Sequence, residues 1–573
     1  MKLKRIIAIA CTAAMTVSLI SGCGGASDKG QKEAVKEAEG TAKEDLPLAK
    51  YPETVTVHLG GKMNPNAKIP KGMSFEDNSY TRLLKENLNI QVVYDWTAST
   101  SDYDEKMSLC IGSNTIPEIM NVNATQYRAL LKYDMIQPLD KYFDDYASDA
   151  LKSYVKSGGE ELQKCITNED GELMAIPAPN LTAGGVNEMW IRQDWLDALG
   201  LDVPRTWDEL AEVAKAFVTR DPDGNGENDT IGILGPGNSD HMNAVGGNQF
   251  GLDPLFSCFQ SYPQYWLKSE DGSVEYGSIQ PETKTALENI SKLYADGVID
   301  PETLVRSDSK EPLLAGKVGI FFGPWWCAYT FADTTLSGSA DWRAYFTPLS
   351  EDGKYYTHMA EPTTQYVVAS KDCKNPEAAF KIINYIVANE QKWVEEGVTS
   401  TEMGTGDFYP LYNTYDNADE IEKSYEALTK YLAGDISMDD VDFSTHKLLK
   451  NDMEAVTKLK KKPYDDFSLK YWNLDSDLAK TNLPRLVAIM VGDAPLVNEE
   501  YVPVYNAYNG QTETMEAKWA NLKKMEEETF AKIIMGKADI SEFDTFVKNW
   551  KNQGGDQILK EINDELSLSL IHI

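Results

Sequence analysis

Histidine is nearly absent from this chain: five in 573 residues (His58, His241, His358, His446 and His572), too scattered to form a ligand pair. There is no HExxH, no GxSxG, no Walker A and no GxGxxG opening a helix, which removes the common routes to metal-assisted hydrolysis, acyl transfer and nucleotide chemistry. Cysteine is also scarce, at seven, with no CxxC. Beyond Cys11 and Cys23 near the start, Cys110, Cys165, Cys258, Cys327 and Cys373 are widely spaced and odd in number, so neither a zinc site nor a disulfide framework is indicated. Positive charge is short, with 55 Lys and Arg against 90 Asp and Glu and a net charge of −35. Such a balance argues against nucleic acid and polyanionic ligands, which need basic surface. After the first 20 residues no apolar run is long enough to cross a bilayer. What these absences leave open is a carboxylate pair hidden among the acids, since sequence spacing does not exclude a glycosidase. A surface glycoside hydrolase therefore stands as the enzyme alternative to a non-enzymatic binder.

The N-terminus is informative. Lys2, Lys4 and Arg5 precede the apolar run Ile6 to Ile20, the layout of a signal peptide spanning 1–22. Its end, Leu19-Ile-Ser-Gly-Cys23, resembles the bacterial lipobox, which implies lipidation of Cys23. Acyl chains bury about 0.8 kcal/mol per CH₂, so two or more give a stable anchor. Removing Lys2, Lys4 and Arg5 with the leader takes the net charge from −35 to −38. From Cys23 to Pro52 the chain is mainly Gly, Ala, Lys and Glu, a flexible tether by composition. The expected location is the extracellular face of the cell membrane. Gly24 is not the aspartate of a retained Gram-negative lipoprotein, which favours a Gram-positive cell.

The body of about 520 residues exceeds one core and calls for two lobes. Thr54 to Leu59 alternates as a strand, ended by Gly60-Gly61. Ser74 to Leu88 has helical spacing, Ile90 to Trp96 is a second strand, Asp104 to Cys110 a helix, and Glu118 to Val122 a third strand. That order predicts an α/β body with a mostly parallel sheet. Thr206-Trp-Asp-Glu209 is a capping box opening a helix with Leu210, Val213, Ala214 and Phe217 on one face. Further helices open at Pro281 and after Asn375-Pro376, and the C-terminal part is helical, Met515 to Met535 and Ser541 to Asn552, the latter stopped by Gly554-Gly555.

Two stretches carry chemistry. Val318 to Phe322 is a buried-strand pattern stopped by Gly323-Pro324, after which Trp325 and Trp326 stand together at a strand end. Ligands of open α/β sheets sit at such ends. In Asp221-Pro-Asp223-Gly-Asn225-Gly-Glu227-Asn-Asp229, oxygen side chains at positions 1, 3, 5 and 9 with glycine at 6 match the first part of an EF-hand loop. Position 12 is Gly232 instead of glutamate, so the full motif is not met. Asp221, Asp223, Asn225, Glu227 and Asp229 are the candidate ligands of a structural Ca²⁺.

Nearly the whole mature chain resembles the extracellular solute-binding proteins of ABC importers, family 1, in particular the large Gram-positive lipoprotein branch of oligosaccharide type. The likeness rests on Ile116-Pro-Glu-Ile-Met120, Tyr133-Asp-Met-Ile-Gln-Pro-Leu-Asp140, Met189-Trp-Ile-Arg-Gln-Asp-Trp-Leu-Asp-Ala-Leu-Gly200, Val203 to Leu210, Leu293 to Pro301, Gly316 to Trp326 and Ile534-Met-Gly536. It implies a two-lobed periplasmic-binding-protein type II clamshell with hinge crossovers and a helical C-terminal region. The expected N-lobe is 53–188 plus about 362–435, and the C-lobe 189–361 plus about 436–573. Crossings are expected near Asn187 to Arg192 and Glu361 to Gln365. Gly323-Pro324-Trp325 matches the family's Gly-Pro-Trp, which makes Trp325 the sugar-stacking ring and Trp326 a second candidate. Asn64, Asp95 and Trp96 at N-lobe strand ends, Trp190 near the first crossing, and His358 and Glu361 near the second complete the candidate site, with Tyr94, Asn121 and Asn123 as lesser ones. Some members of the family that bind alginate oligosaccharides hold calcium in a similar loop, which the resemblance extends to Asp221 to Asp229 as an expectation. The implied partners are an oligosaccharide or another polar solute (a peptide or an amino sugar), ABC permease subunits, and the membrane through the lipid; the chain is expected to be monomeric. Leu566 to Ile573 departs from the family's charged, aromatic ending.

Overall fold

A computed structural model describes residues 43–67, 69–237, 249–336, 340–395, 408–411, 416–443, 446, 448–457 and 477–571. Cys23 and most of the expected tether lie outside them. The strands are β1 (Val55–Met63), β2 (Ile90–Ser99), β3 (Ile119–Val122), β4 (Ile176–Pro179), β5 (Glu188–Arg192), β6 (Ile231–Ile233), β7 (Trp266–Lys268), β8 (Val274–Tyr276), β9 (Val318–Gly323), β10 (Trp342–Tyr345), β11 (Tyr355–His358), β12 (Thr363–Ala369) and β13 (Tyr501–Val504). One sheet has the order β2-β1-β3-β12-β4 and a second the order β10-β5-β9-β6; β11 pairs with β13 and β7 with β8. The expectation of a mostly parallel arrangement holds for β1, β2 and β3. It fails at β12, which runs antiparallel to both neighbours, and in the second sheet, where β5 is antiparallel to β9 and β10.

Local chemistry explains several boundaries. Gly60-Gly61 does not end β1. The register slips between Leu59 and Gly60, and pairing continues to Met63 opposite Ser99. A Cβ on Gly60 would stand 2.6 Å from the Trp96 ring, so the glycine makes room for that ring. The first helix starts at Ser79 rather than Ser74, because Asn78 accepts the N–H groups of Tyr80 and Thr81 while Thr81 accepts the Asn78 N–H. The Thr206–Glu209 capping box forms as read, with helix Trp207–Thr219 burying Leu210, Val213, Ala214 and Phe217. Gly554-Gly555 does not stop the chain's helical course: it passes a wide turn and resumes as Asp556–Ile571. The expected tether also ends early. Lys43–Leu48 is a short helix, Lys381 donates to the Leu46 and Ala49 carbonyls, and Tyr51 is buried with its hydroxyl on Glu377 at 2.9 Å. Apolar Leu46, Pro47 and Tyr51 give that segment something to bury.

Each sheet has its own core. The first gathers Val55, Val57, Leu59, Leu84, Leu88, Ile119, Val367, Phe380 and Ile383. The second sheet is covered on both faces: Trp190 and Phe321 point into one core, Met189, Ile191, Ile320 and Phe322 into the other, the period-two alternation of strands. The C-terminal helices Glu513–Ile534 and Glu542–Trp550 seal the latter with Phe530, Phe546 and Trp550. Helix Glu420–Ala433, expected in the N-lobe, places Ile421 and Leu428 in the second sheet's core. Three chain segments pass between the bodies side by side. Asn180 N–H donates to the Pro362 carbonyl at 2.9 Å, and Thr182 N–H to the Ala418 carbonyl at 2.8 Å. Gly185 lies so close to the segment around Ala360 that a Cβ would meet the Ala360 nitrogen at 2.7 Å. The crossings thus fall at about 180–187, 359–362 and 416–418. Glu188 to Arg192, expected at the first crossing, is already the central strand β5.

Candidate ligand-binding site

At the carboxyl ends of β1, β2 and β3 a cavity of about 250 Å³ opens beside the start of β12. Gly60 and Lys62 come from β1, Tyr94 from β2, Asn121 and Val122 from β3, and Thr364 and Gln365 from β12; Phe75, Tyr103, Asp104, Asn123 and Tyr409 complete its polar and aromatic lining. Its groups hold one another. Tyr103 donates to the Asn121 carbonyl at 3.0 Å and the Asn121 amide to Gln365 Oε1 at 3.2 Å. Asn123 caps helix Ala124–Lys132 by accepting from the Gln126 N–H. Tyr94 packs on Phe75, with ring centroids 4.8 Å apart; its hydroxyl is buried without a protein partner, and burial raises its pKa. Lys62 lies over the Tyr103 ring at 5.6 Å. Amide groups between aromatic rings suit a ligand with apolar faces and hydroxyl edges.

The candidate residues divide. Trp96 stands next to this cavity, its ring 5.3 Å from that of Tyr103 and its Nε1 buried without a partner. Asp95 pairs with His58 at 2.6 Å, both half-exposed, and does not line the cavity. Asn64 accepts the Asn66 N–H at 2.9 Å, the chemistry of a turn. Glu361 is half-buried at a smaller cavity with Asn180, Thr182 and Tyr505, among the crossing segments; burial raises its carboxyl. Trp190 is core: fully buried, near-parallel to Phe321 and edge-on to Phe331 at 5.1 Å. The β5 alternation that turns Met189 to one core turns Trp190 to the other. His358 is also core, its ring edge-on to Tyr265 at 4.7 Å and Tyr262 at 5.3 Å, with burial lowering its pKa to about 3.

Trp325 opens the short turn Trp325–Cys327 directly after β9 and is 6% exposed, so it offers no free face in this conformation. Its Nε1 has no protein partner. Gly492 packs against it; a Cβ there would meet the Trp325 carbonyl at 2.7 Å. Trp326 is partly buried beside the same core. Sequence reasoning missed two acids nearby. Glu188, the first residue of β5, pairs in register with Gly323 and is fully buried, as is Asp493 immediately after Gly492. Period two puts Glu188 on the Trp190 face, a signal that was readable; nothing local marks Asp493.

The acidic loop is held by its own hydrogen bonds. Asp221 accepts the N–H groups of Asn225 and Gly226, each at 3.1 Å. The Asn225 amide donates to Asp223 and Asp229, and Lys317 pairs with Asp229 at 2.8 Å. Glu227 contributes its N–H to Asn225. Gly232, at position 12, has no room for a side chain: a Cβ would meet the Val298 and Ala214 carbonyls at 2.6 and 2.7 Å. No group of three or more metal-type side chains converges among the described residues. The oxygen-only donors fit calcium chemically, but Asp221 and Asp229 are engaged by N–H groups and by a lysine.

Two α/β bodies joined by adjacent crossings, with ligand-type residues at strand ends, define a two-lobed binding protein. The model of the bacterial extracellular solute-binding protein family matches residues 67–393, and the chain belongs to that family, whose members bind solutes and do not turn them over. The chain is 30% identical over 259 residues to the fructooligosaccharide ABC transporter substrate-binding protein FusA of Streptococcus pneumoniae, covering 42% of this chain and 45% of FusA. It is 28% identical over 251 residues to lipoprotein LipO of Bacillus subtilis, again 42% and 45% of the two chains. The match thus spans less than half the length of these two relatives. Identity is 23% over 522 residues to the polygalacturonan/rhamnogalacturonan-binding protein YtcQ of B. subtilis, covering 88% of this chain and 92% of that one. Among solved structures, a human-milk-oligosaccharide (HMO) binding solute-binding protein of Bifidobacterium longum infantis has TM-score 0.54 at 17% identity, covering 90% and 98% of the two chains. An EF-hand mutant of FusA in complex with fructo-nystose has TM-score 0.50 at 16%, covering 91% and 100%. At such identities the likeness speaks for the fold.

Proposed function

We propose that this protein captures a neutral oligosaccharide between its two lobes and delivers it to an ABC permease. The observation that carries the reading is the strand-end cavity of Tyr94, Tyr103, Asn121, Asn123 and Gln365, which couples aromatic faces to amide hydrogen bonds. Trp325, at the corresponding end of β9, is the second contact. An indole can bury about 150–250 Å², roughly 4–6 kcal/mol at about 25 cal/mol per Å² against about 8 for micromolar affinity, and Trp325, 6% exposed, supplies that only where opening of the lobes uncovers its ring. The FusA and HMO-binding names point to oligosaccharides and the YtcQ name to polygalacturonan and rhamnogalacturonan, all of them carbohydrates. The net charge of −35 favours the neutral ones. Closure follows if the ligand touches both bodies, since a ligand shifts an equilibrium only by its differential contacts.

The lipobox at Cys23, together with the LipO likeness, supports anchoring to the outer face of a Gram-positive membrane. The loop Asp221 to Asp229 is proposed to take a structural Ca²⁺ when Lys317 yields Asp229, a reading helped by the EF-hand in the FusA name. Titrating fructo-, gluco- and galacto-oligosaccharides against tryptophan fluorescence tests the function. Saturable binding with the sugar recovered intact is expected. Cleaved sugar would instead mark a hydrolase, and a preference for peptides would replace the ligand class.

A further inference from the structure

Buried polar atoms in native proteins nearly always have partners, so a concentration of orphans asks for an explanation. Both carboxyl oxygens of Glu188 and both of Asp493 are buried without a hydrogen-bond partner, and so is the indole N–H of Trp325. These residues belong to one place. Glu188 faces Gly323, two residues before Trp325, across the β5–β9 ladder. Gly492, next to Asp493, sits against the Trp325 backbone, and its missing Cβ would stand 3.0 Å from the Trp190 ring. Burial, then the charge of Asp493, holds the Glu188 carboxyl above its usual range; burial, then the charge of Glu422, does the same to Asp493. Glu499, which also acts on Glu188, is itself paired with Arg205 at 2.8 Å. Among the described residues no Lys or Arg ion-pairs with Glu188 or Asp493.

Two acids with four free oxygens beside one free N–H call for a ligand that both donates and accepts. A sugar hydroxyl does both. A carboxylate ligand would have to be buried as a charge in a place where no Lys or Arg pairs with the acids, which is a large penalty in apolar surroundings. We infer that Glu188 and Asp493, with the indole N–H of Trp325, form a hydroxyl-reading subsite that accepts an uncharged sugar ring and rejects uronates. This rests on the oligosaccharide reading above and specifies the class of sugar.

The test is a fluorescence titration of the full chain with neutral oligosaccharides and, separately, with galacturonide oligomers, repeated for Glu188→Gln and Asp493→Asn. The wild type should bind a neutral sugar at least tenfold more tightly than any galacturonide. Each amide variant should lose at least tenfold in affinity for the neutral sugar while its thermal midpoint holds or rises, because a carboxyl that burial disfavours as a charge becomes a neutral amide. Equal binding of galacturonides overturns the inference, and this arm needs no variant to fold. Amide variants within twofold of the wild type overturn it too. A wild type that binds no sugar of either kind overturns the parent reading itself.

Discussion

The two sheets end differently. At the five-stranded sheet, Tyr103, Asn121 and Gln365 hold one another around an open space, and Asn123 is held by Gln126 at its helix cap. At the four-stranded sheet, Glu188, Asp493 and Trp325 are packed among apolar side chains without partners. The first end is pre-organised: its amides are already oriented when a ligand arrives. The second stores unfavourable electrostatics that a ligand or a proton relieves. Aromatic side chains accordingly play different parts at the two sheet ends, lining a cavity at one and packing into a core at the other.

The largest test of this contrast compares two tryptophans. Trp190→Ala should lower the unfolding free energy by about 3–5 kcal/mol, as expected for a fully buried ring, whereas Trp96→Ala, half-buried against Gly60 and Tyr103, should cost less than half of that. Urea unfolding of both variants decides; equal losses would erase the distinction between core and rim.

Acid packing in the second lobe predicts a pH effect of the next size. Glu526 is buried, accepts hydrogen bonds from Tyr276 at 2.8 Å and Ser278 at 2.7 Å, and is pushed by burial to a pKa of about 7. Its folded pKa thus lies above the unfolded value of about 4.3–4.5, so between these the native state binds more protons than the unfolded one. Its contribution is full below pH 4.5 and declines as pH rises through 7, by up to about 3 kcal/mol. Glu526→Gln should therefore unfold at higher urea than wild type at pH 8 relative to pH 5. The same pH response in variant and wild type would show that the carboxyl is not the source.

Much of this was legible in the sequence, and the misses have physical causes. Helix faces and the Thr206 capping box follow local rules, and β9 was bounded by its Gly-Pro break. Gly60-Gly61 misled because glycine's usual meaning, a stop, gave way to a tertiary need, space for the Trp96 ring. His358 and Trp190, candidates because crossings are expected near them, lie in the core instead, since burial depends on which elements arrive from elsewhere: Tyr262 and Tyr265 cover one, Phe331 the other. Asp493 could not be read at all, because its neighbours, Glu188 and Trp325, are distant in sequence.

A smaller effect separates the cavity from its surroundings. Asn121→Ala removes the amide that donates to Gln365 and should weaken sugar binding about tenfold, near 1.4 kcal/mol, with little change in melting temperature because the side chain is only partly buried. Fluorescence titration beside a melting curve measures both. A large fall in stability with unchanged affinity would make the Asn121 amide part of the scaffold and move the binding surface to the other sheet.

The smallest effect expected lies far from either sheet end, in the loop Asp221 to Asp229. Lys317 neutralises Asp229 there, and the pair keeps the Asp229 carboxyl below its usual range while the Lys317 amine rises. A calcium ion must compete with that lysine and with the N–H groups on Asp221, so its binding should be weak. At about five times the dissociation constant the gain is only ~1 kcal/mol. Lys317→Ala frees Asp229 and should strengthen the calcium-dependent rise in melting temperature, whereas Asp223→Ala should abolish it. A rise that neither substitution alters would place calcium elsewhere on this acidic surface, and no rise in any of the three proteins would leave Lys317 as the loop's own permanent cation.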